Sequence, residues 1–542
     1  MSNNQNLINL FERQATLSPS KITITYQDQQ LTYFEINSRI NRLAQHLQSL
    51  HIGYHDRVCI YLDNSPELII AILAAIKILA TYVIISPELS SKKQCFIFKD
   101  SNCKLIISES HLIKNFHTYD LEVKVVLLDE IRNALMLYSS ENLYCTYDEK
   151  EHDINSQILA IYYTSGSTGD PKGVMVRHIS VASRILWHYR EYPKIGDETI
   201  LARHFISTIS LLETIGALIF GIKIIIMTRN ICRNLPTIRS IVANRNSNVK
   251  RLCFTPNLLG VLLSHEPEFI AGFRNIKLWR IVGEAIHYSL LEKFFIHFDS
   301  VIVNHYGLTE FATQITKKLT INNEKTIAFA NTASNSDTKV YVLNSDNNIA
   351  KNHEVGEICL SGNGIAAGYL NLPELTKQKF VDNPFAIEGM PEFNQILKTG
   401  DLGKILSNGD IIYVGRSDDQ IKICGYAVNI AEIENALKLS TIVKNAAVVL
   451  ADTGDKYNEL AAYIVCCKKI EHEKEEETII QDIKLHLTKY LPYYMIPNYY
   501  ILLDELPVLT NNKIDRKALP TLARTQQAIT PKQSQNQAIY RR

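Results

Sequence analysis

The segment Tyr163–Gly173, YTSGSTGDPKG, follows the apolar run ILAIY and interleaves small hydroxyl residues with Gly166 and Gly169. Such a loop lets main-chain amides and hydroxyls approach phosphate oxygens closely, and Lys172 adds a positive charge. It reads as a nucleotide-phosphate loop formed by Thr164, Ser165, Gly166, Ser167, Thr168, Gly169 and Lys172. A plain Gly/Ser surface loop is the alternative, disfavoured by the preceding strand and the Pro-Lys-Gly ending. It is not a Walker loop, because no Gly stands five residues ahead of another Gly followed by Lys and Ser or Thr, so kinase and P-loop ATPase readings lose support. Gly362 to Ala367 fits a loose GxGxxA pattern, but no strand, helix and acidic residue accompany it, and a β-turn is the better reading.

The elements that must position this loop are strands alternating with amphipathic stretches. KLIIS, VKVVLLD, ILAIYYTS, KIIIMT, VKRLCFTP, LWRIVGE and SVIVNHYG are uniformly apolar or β-branched, as strands of a parallel sheet covered on both faces are. The predicted class is α/β. Between about Thr338 and Gly415 the strands shorten and turn signals multiply, which predicts an antiparallel β subdomain. After Gly415 a hairpin-like segment leads into AEIENALK, NAAVVLAD and ELAAYIVCC, a compact α+β pattern. HEKEEE near Glu473 reads as a solvated loop or helix start, and the polar tail from about Ala523 as an unfolded linker.

At 542 residues, 46% hydrophobic and 21% charged, the chain has material for a large core and is not a disordered protein. Lys plus Arg total 57 and Asp plus Glu 56, so no global field favours nucleic acid or an anionic membrane, and partner choice must come from local sites. The ten cysteines offer no CxxC spacing, and the N-terminus lacks a signal-peptide pattern; a reducing, cytoplasmic location is expected. Leu68–Ile85 is apolar enough to cross a bilayer on paper, but Lys77 at its centre and the switch to TYVII predict a buried helix running into a buried strand.

With these residues in view, the chain resembles the adenylate-forming enzymes, and among them the amino-acid adenylation domains of nonribosomal peptide synthetases. Eight motifs carry the resemblance in order: LTYFEI, YTSGSTGDPKG, NHYGLTE, GEICLSGNGIAAGYL, KTGDL, GRSDDQIKICGY, LPYYMIP and NNKIDRKALP. It implies two parallel-rich, helix-covered sheets and a small β subdomain (about 335–417) in a core of residues 1–417, a mobile C-terminal lid over 418–522, and a linker over 523–542.

The implied reaction is attack of a substrate carboxylate on the α-phosphate of ATP, giving an acyl adenylate and pyrophosphate. An anion attacks a polyanion, so cations and fixed donors must face the oxygens that gain charge. By resemblance, Thr164, Ser165, Thr168 and Lys172 hold the triphosphate, Glu310 helps coordinate Mg2+, and Thr309 touches the α-phosphate. Tyr306 stacks on adenine, Asn304, Gly283 and Glu284 belong to the nucleotide site, Asp401 holds the ribose hydroxyls and Arg416 adds a ribose or phosphate contact. Lys513, on the lid, bridges the attacking carboxylate and the adenylate, and Asp418 is the hinge. The second half-reaction implies the phosphopantetheine thiol of a peptidyl or acyl carrier protein.

Departures from the family pattern bear on the substrate. Where the family reads FDxSxWE, with Asp pairing the substrate α-ammonium, this chain reads STISLLE, placing Thr208 at the Asp and Leu212 at the Trp position. A neutral hydroxyl does not compensate the desolvation of an ammonium as a carboxylate does, so the expected substrate lacks an α-ammonium or carries a displaced amine. Further pocket candidates are Ile209, Cys253, Arg280, Val282, His305, Thr313 and Gln314. Arg280 either points inward, suiting an acidic or carbonyl-bearing tail, or lies solvated outside. KICGYAVNI, with Cys424, Ala427 and Asn429, departs from KIRGxRIEL on the lid face turned to the site during thioester formation, so adenylation is expected to outlast transfer. No condensation or carrier-attachment motif is seen, which fits a free-standing activating enzyme or the head of a longer synthetase. An acyl-CoA or aryl-acid ligase, and a catalytically idle scaffold, are the other readings.

Overall fold

The computed structural model describes residues 6–116, 123–143, 153–164, 171–203, 207–229, 231–232, 234–283, 285–321, 327–331, 337–417, 420–423, 426–451, 459–467, 473–507, 516 and 518–520. Every apolar run named above forms a strand, from Leu105–Ser108 to Val301–Leu308. Two parallel sheets with antiparallel edges result. One of six strands carries Ile158–Thr164 beside its antiparallel edge, Lys172–Arg177; the other, of eight, carries Val249–Phe254, Leu278–Val282 and Val301–Leu308 side by side in parallel.

The stretch from Leu68 is a helix, Pro66–Lys77, followed by the strand Thr81–Ile84, as the change in residue type requires. Ser65 accepts from the Leu68 amide at 3.3 Å and Pro66 occupies the first turn, so the helix start is capped. The helix is apolar all round because every residue from Leu68 to Lys77 is buried. Lys77 is only 3% exposed and is ion-paired with Glu12 of the helix Leu7–Leu17, which is how a lysine survives there. Among the described residues no helix is long and apolar enough to cross a membrane.

The antiparallel subdomain is a sheet of six strands that runs to Arg416 and begins at Ala328–Asn331, ahead of the expected start. Gly362, at the end of the strand Val355–Gly362, has φ +128°, and a Cβ there would fall 2.1 Å from the Asp337 carbonyl oxygen. The GxGxxA stretch is thus a turn packed against backbone, with no helix until Pro373–Lys379. Beyond it, the hairpin Gln420–Ile423 and Tyr426–Asn429 leads into the helix Ile430–Lys438, and a three-stranded sheet with the helix Glu473–Thr488 completes a unit with its own core around Val428, Ile433, Leu437, Ile464 and Ile483. Lys93 of the helix Ser91–Ser101 is ion-paired with Glu432, joining this unit to the N-terminal sheet's helices.

Candidate active site

Three groups of side chains meet at the ends of these strands. The first lies at Thr164 and Lys172, the described ends of the segment expected to bind phosphate. Thr164 and Lys172 are register partners across the two antiparallel strands, and residues 165–170 between them lie outside the described ones. Lys172 Nζ sits 5.1 Å over the Tyr369 ring, and the Tyr369 hydroxyl donates to Glu310 Oε1 at 2.9 Å. The backbone fixes the same arrangement: Leu370 N donates to Gly173 O at 2.7 Å and Ala366 N to Glu310 O at 2.9 Å. Lys172, Tyr369 and Glu310 therefore form one cluster, with Thr309 adjoining in the turn before Phe311. Tyr369 was not singled out by sequence, although GIAAGYL contains it. Burial first, and then the Glu310 carboxylate, hold its hydroxyl protonated, with a pKa above the ordinary value.

The second group is Tyr306, Asp401 and Arg416. Asp401, 1% exposed, faces Arg416 across two antiparallel strands. Arg416 Nη1 donates to its Oδ1 at 2.6 Å and the Tyr306 hydroxyl to its Oδ2 at 2.5 Å. Burial, then Asp401, raises the Tyr306 pKa well above the ordinary value. Each carboxylate oxygen keeps a further lone pair, so ribose hydroxyls can be accepted without breaking the cluster. Phe329 packs against the Tyr306 ring, centroids 4.4 Å apart. Asn304 is buried on the same strand as Tyr306, and Gly283 has φ +90° at the end of Leu278–Val282. Glu284, Asp418 and Lys513 lie outside the described residues; three positions after Lys513, Arg516 donates to Glu434 Oε1 at 2.7 Å.

The third group comprises the residues expected to line an acyl pocket. Thr208, Leu212, Cys253, Arg280, Val282 and His305 are all buried, and Ile209 is half-buried. Cys253 is the register partner of Arg280, and Val282 of His305. Thr313 and Gln314 lie on the strand Phe311–Lys318, but their side chains are outside the described ones. The solvated reading of Arg280 is corrected: it is 4% exposed, and its Nη2 donates to Glu213 Oε1 at 2.7 Å from a π-helical turn, Leu212–Gly216. Burial opposes its charge, yet its pKa is raised, with the Glu213 carboxylate and its hydrogen bond among the causes. Burial and then Glu213 push the Cys253 thiol up to about 11, so it is neutral near pH 7. Two further residues escaped the sequence reading, Arg184 and His188, both buried on the helix His178–Glu191. The available signal was a cation among Val181, Ile185 and His188 on the apolar face of an amphipathic pattern.

With this geometry in hand, the sequence profile of the AMP-binding enzyme family matches residues 11–370, and that of the AMP-binding enzyme C-terminal domain residues 432–513. The chain belongs to the AMP-binding enzyme family. Zwittermicin A synthase ZmaJ of Bacillus cereus is 30% identical to it over 525 residues, 95% of this chain and 94% of that protein. Gramicidin S synthase 2 of Brevibacillus brevis is 31% identical over 519 residues, 95% of this chain but 11% of that protein. The chain thus spans about a tenth of the length of that relative. Among solved structures, NpsA-ThdA, an artificially fused adenylation-PCP di-domain from Klebsiella oxytoca, superposes with a TM-score of 0.77 at 22% identity, covering 91% of this chain and 93% of that one. The o-succinylbenzoate CoA synthetase of Bacillus subtilis gives 0.76 at 22% identity, covering 94% and 97%. These two likenesses speak to the fold.

Proposed function

We propose that this AMP-binding enzyme activates a carboxylic acid with ATP and passes the acyl group to the phosphopantetheine thiol of a peptidyl or acyl carrier protein in nonribosomal peptide synthesis. A carboxylate oxygen of the acid bonds to the α-phosphorus as the bond to the β-phosphate oxygen breaks, releasing pyrophosphate. A thiolate then attacks the acyl carbon, and AMP leaves with the carboxyl oxygen. The observation that carries the reading is the cluster of Lys172, Tyr369 and Glu310 beside the segment expected to bind phosphate, with Asp401 and Arg416 set to receive a ribose. The synthetase relatives support the carrier as acceptor.

The residues fit a nucleotide-borne Mg2+. Among the described residues no group of three His, Cys, Asp or Glu side chains gathers as a metal cage, whereas one carboxylate, Glu310, stands by the phosphate loop. One carboxylate plus substrate phosphates is the way Mg2+ is commonly held, and it neutralises charge on the departing phosphates. Lys172 supplies a fixed positive charge there, and Tyr369 orients Glu310. Lys513, with the segment 418–522 acting as a lid hinged at Asp418, brings an ammonium to the attacking carboxylate. Thr208 in place of a carboxylate favours an acid without an ordinary α-ammonium.

The test is hydroxylamine-trapped pyrophosphate release over amino, β-amino, aryl, dicarboxylic and fatty acids, with AMP release compared between coenzyme A and a holo-carrier. Turnover of an acid, lost by at least a hundredfold in Lys513→Ala with ATP binding retained, is the expected result. Faster transfer to coenzyme A than to any carrier assigns an acyl-CoA ligase instead. No adenylate with any acid would leave only a scaffold role.

A further inference from the structure

The helix His178–Glu191 buries Arg184, 3% exposed, beside Thr208, one of the residues proposed to line the acyl pocket. Its Nη1 donates to the carbonyls of Thr208 at 3.0 Å and Ala312 at 2.8 Å, tying together the two segments that flank the pocket. Its Nε and Nη2 are buried and make no hydrogen bond, and neither does Nε of Arg280. Among the described residues no carboxylate is ion-paired with Arg184, since Glu213 is taken by Arg280. Burial first, and then repulsion from Arg280, push Arg184 down to about 9. Cys253 is a neutral thiol, and burial followed by Arg280 and His305 holds His188 well below its ordinary pKa, so neither offsets the guanidiniums. Tyr162, which also faces Arg184, is neutral, its pKa raised by burial first. Two cations thus stand against one carboxylate where a relative that binds an α-ammonium needs a net negative charge.

We infer that the acyl pocket takes an acid bearing a second carboxylate, whose unreactive end is held by Arg184 together with Arg280. This rests on the adenylate-forming reading above and names its substrate class. A buried guanidinium without a counter-charge is destabilising, and a planar carboxylate meets two of its N–H groups at once. An ammonium in the same place meets repulsion and no available acid. A simple monocarboxylate leaves the donors unmet. The donors are shut from solvent as they stand, so the ligand enters with movement of the turn Ser207–Ser210, whose Thr208 carbonyl Arg184 holds.

The experiment is ATP-pyrophosphate exchange by the full chain with succinate, glutarate and adipate, monocarboxylates of matching length, and the common L-amino acids. One dicarboxylate is expected to exceed its matched monocarboxylate and every L-amino acid at least tenfold in kcat/KM. In Arg184→Gln that preference should shrink tenfold or more through KM, with the melting temperature and ATP binding showing the fold intact. Arg184→Lys, which keeps the charge and loses the fork, should fall between, and it decides the matter if Arg184→Gln does not fold. Preference for a monocarboxylate or an L-amino acid, or an unchanged dicarboxylate preference in either folded variant, overturns the inference while leaving adenylation standing. No exchange with any acid overturns the adenylation reading, and the inference with it.

Discussion

Arg416 donates to Asp401 at 2.6 Å from the position directly opposite on the neighbouring strand, so the carboxylate proposed to receive the ribose is oriented by the sheet register itself. The second oxygen is held by the Tyr306 hydroxyl. Asp401→Ala removes the acceptor for both ribose hydroxyls, and each charge-assisted hydrogen bond is worth about 1.5–3 kcal/mol. The expected result is a rise in the KM for ATP of roughly 10–100-fold in pyrophosphate exchange. Arg416→Gln should raise it less, because Tyr306 still fixes one oxygen. Equal KM values for Asp401→Ala and the parent enzyme would remove Asp401 from the nucleotide site.

Tyr369→Phe keeps an aromatic face under Lys172 and deletes only the hydroxyl that holds Glu310. The Mg2+ concentration giving half-maximal exchange is expected to rise a few-fold, with the KM for ATP moving less. Titrating Mg2+ at saturating ATP checks this. An unchanged requirement would mean that Glu310 is positioned without the tyrosine.

The fold was legible because its central strands are buried on both faces and so read as continuous apolar runs; Leu278–Val282 and Leu105–Ser108 could be little else. Asp401 and Glu310 were legible because short motifs carry them, and Thr208 because it interrupts one. Tyr369 and Glu310, by contrast, are 59 residues apart in sequence, and nothing local to either announces their hydrogen bond. Arg184 was hidden for a related reason: a cation within a helical pattern ordinarily marks the solvent side, and its burial depends on carbonyl acceptors in two distant segments. The choice between an inward and a solvated Arg280 turned on Glu213, a long-range partner that strand alternation does not reveal.

Buried His178 predicts an acid limb to stability. Its Nε2 accepts from the Leu7 amide at 3.2 Å, and burial lowers its pKa from 6.5 to about 4. The unfolded chain therefore binds the extra proton first as pH falls below 6.5, and stability declines until about pH 4, where the folded form also protonates. Linkage across that window amounts to about 3 kcal/mol. His178→Gln supplies an uncharged acceptor in a similar place, so urea unfolding between pH 7 and 4.5 should show a shallower loss than the parent. Parallel curves would assign the acid limb to other groups.

Thr208→Asp installs the acid of the FDxSxWE pattern that this position is expected to replace, yet it is not expected to create amino-acid activity. The Thr208 carbonyl already accepts from Arg184 at 3.0 Å, and two nitrogens of that guanidinium, Nε and Nη2, are unmet, so a carboxylate at this position has a partner inside the protein. Pairing with Arg184 consumes the new charge before a substrate ammonium can use it. The melting temperature should rise by roughly 1–3 °C while exchange with L-amino acids stays at background. Combining Thr208→Asp with Arg184→Gln releases the carboxylate, and only this pair is expected to turn over an L-amino acid. Turnover by the single variant would show that Arg184 does not command the position.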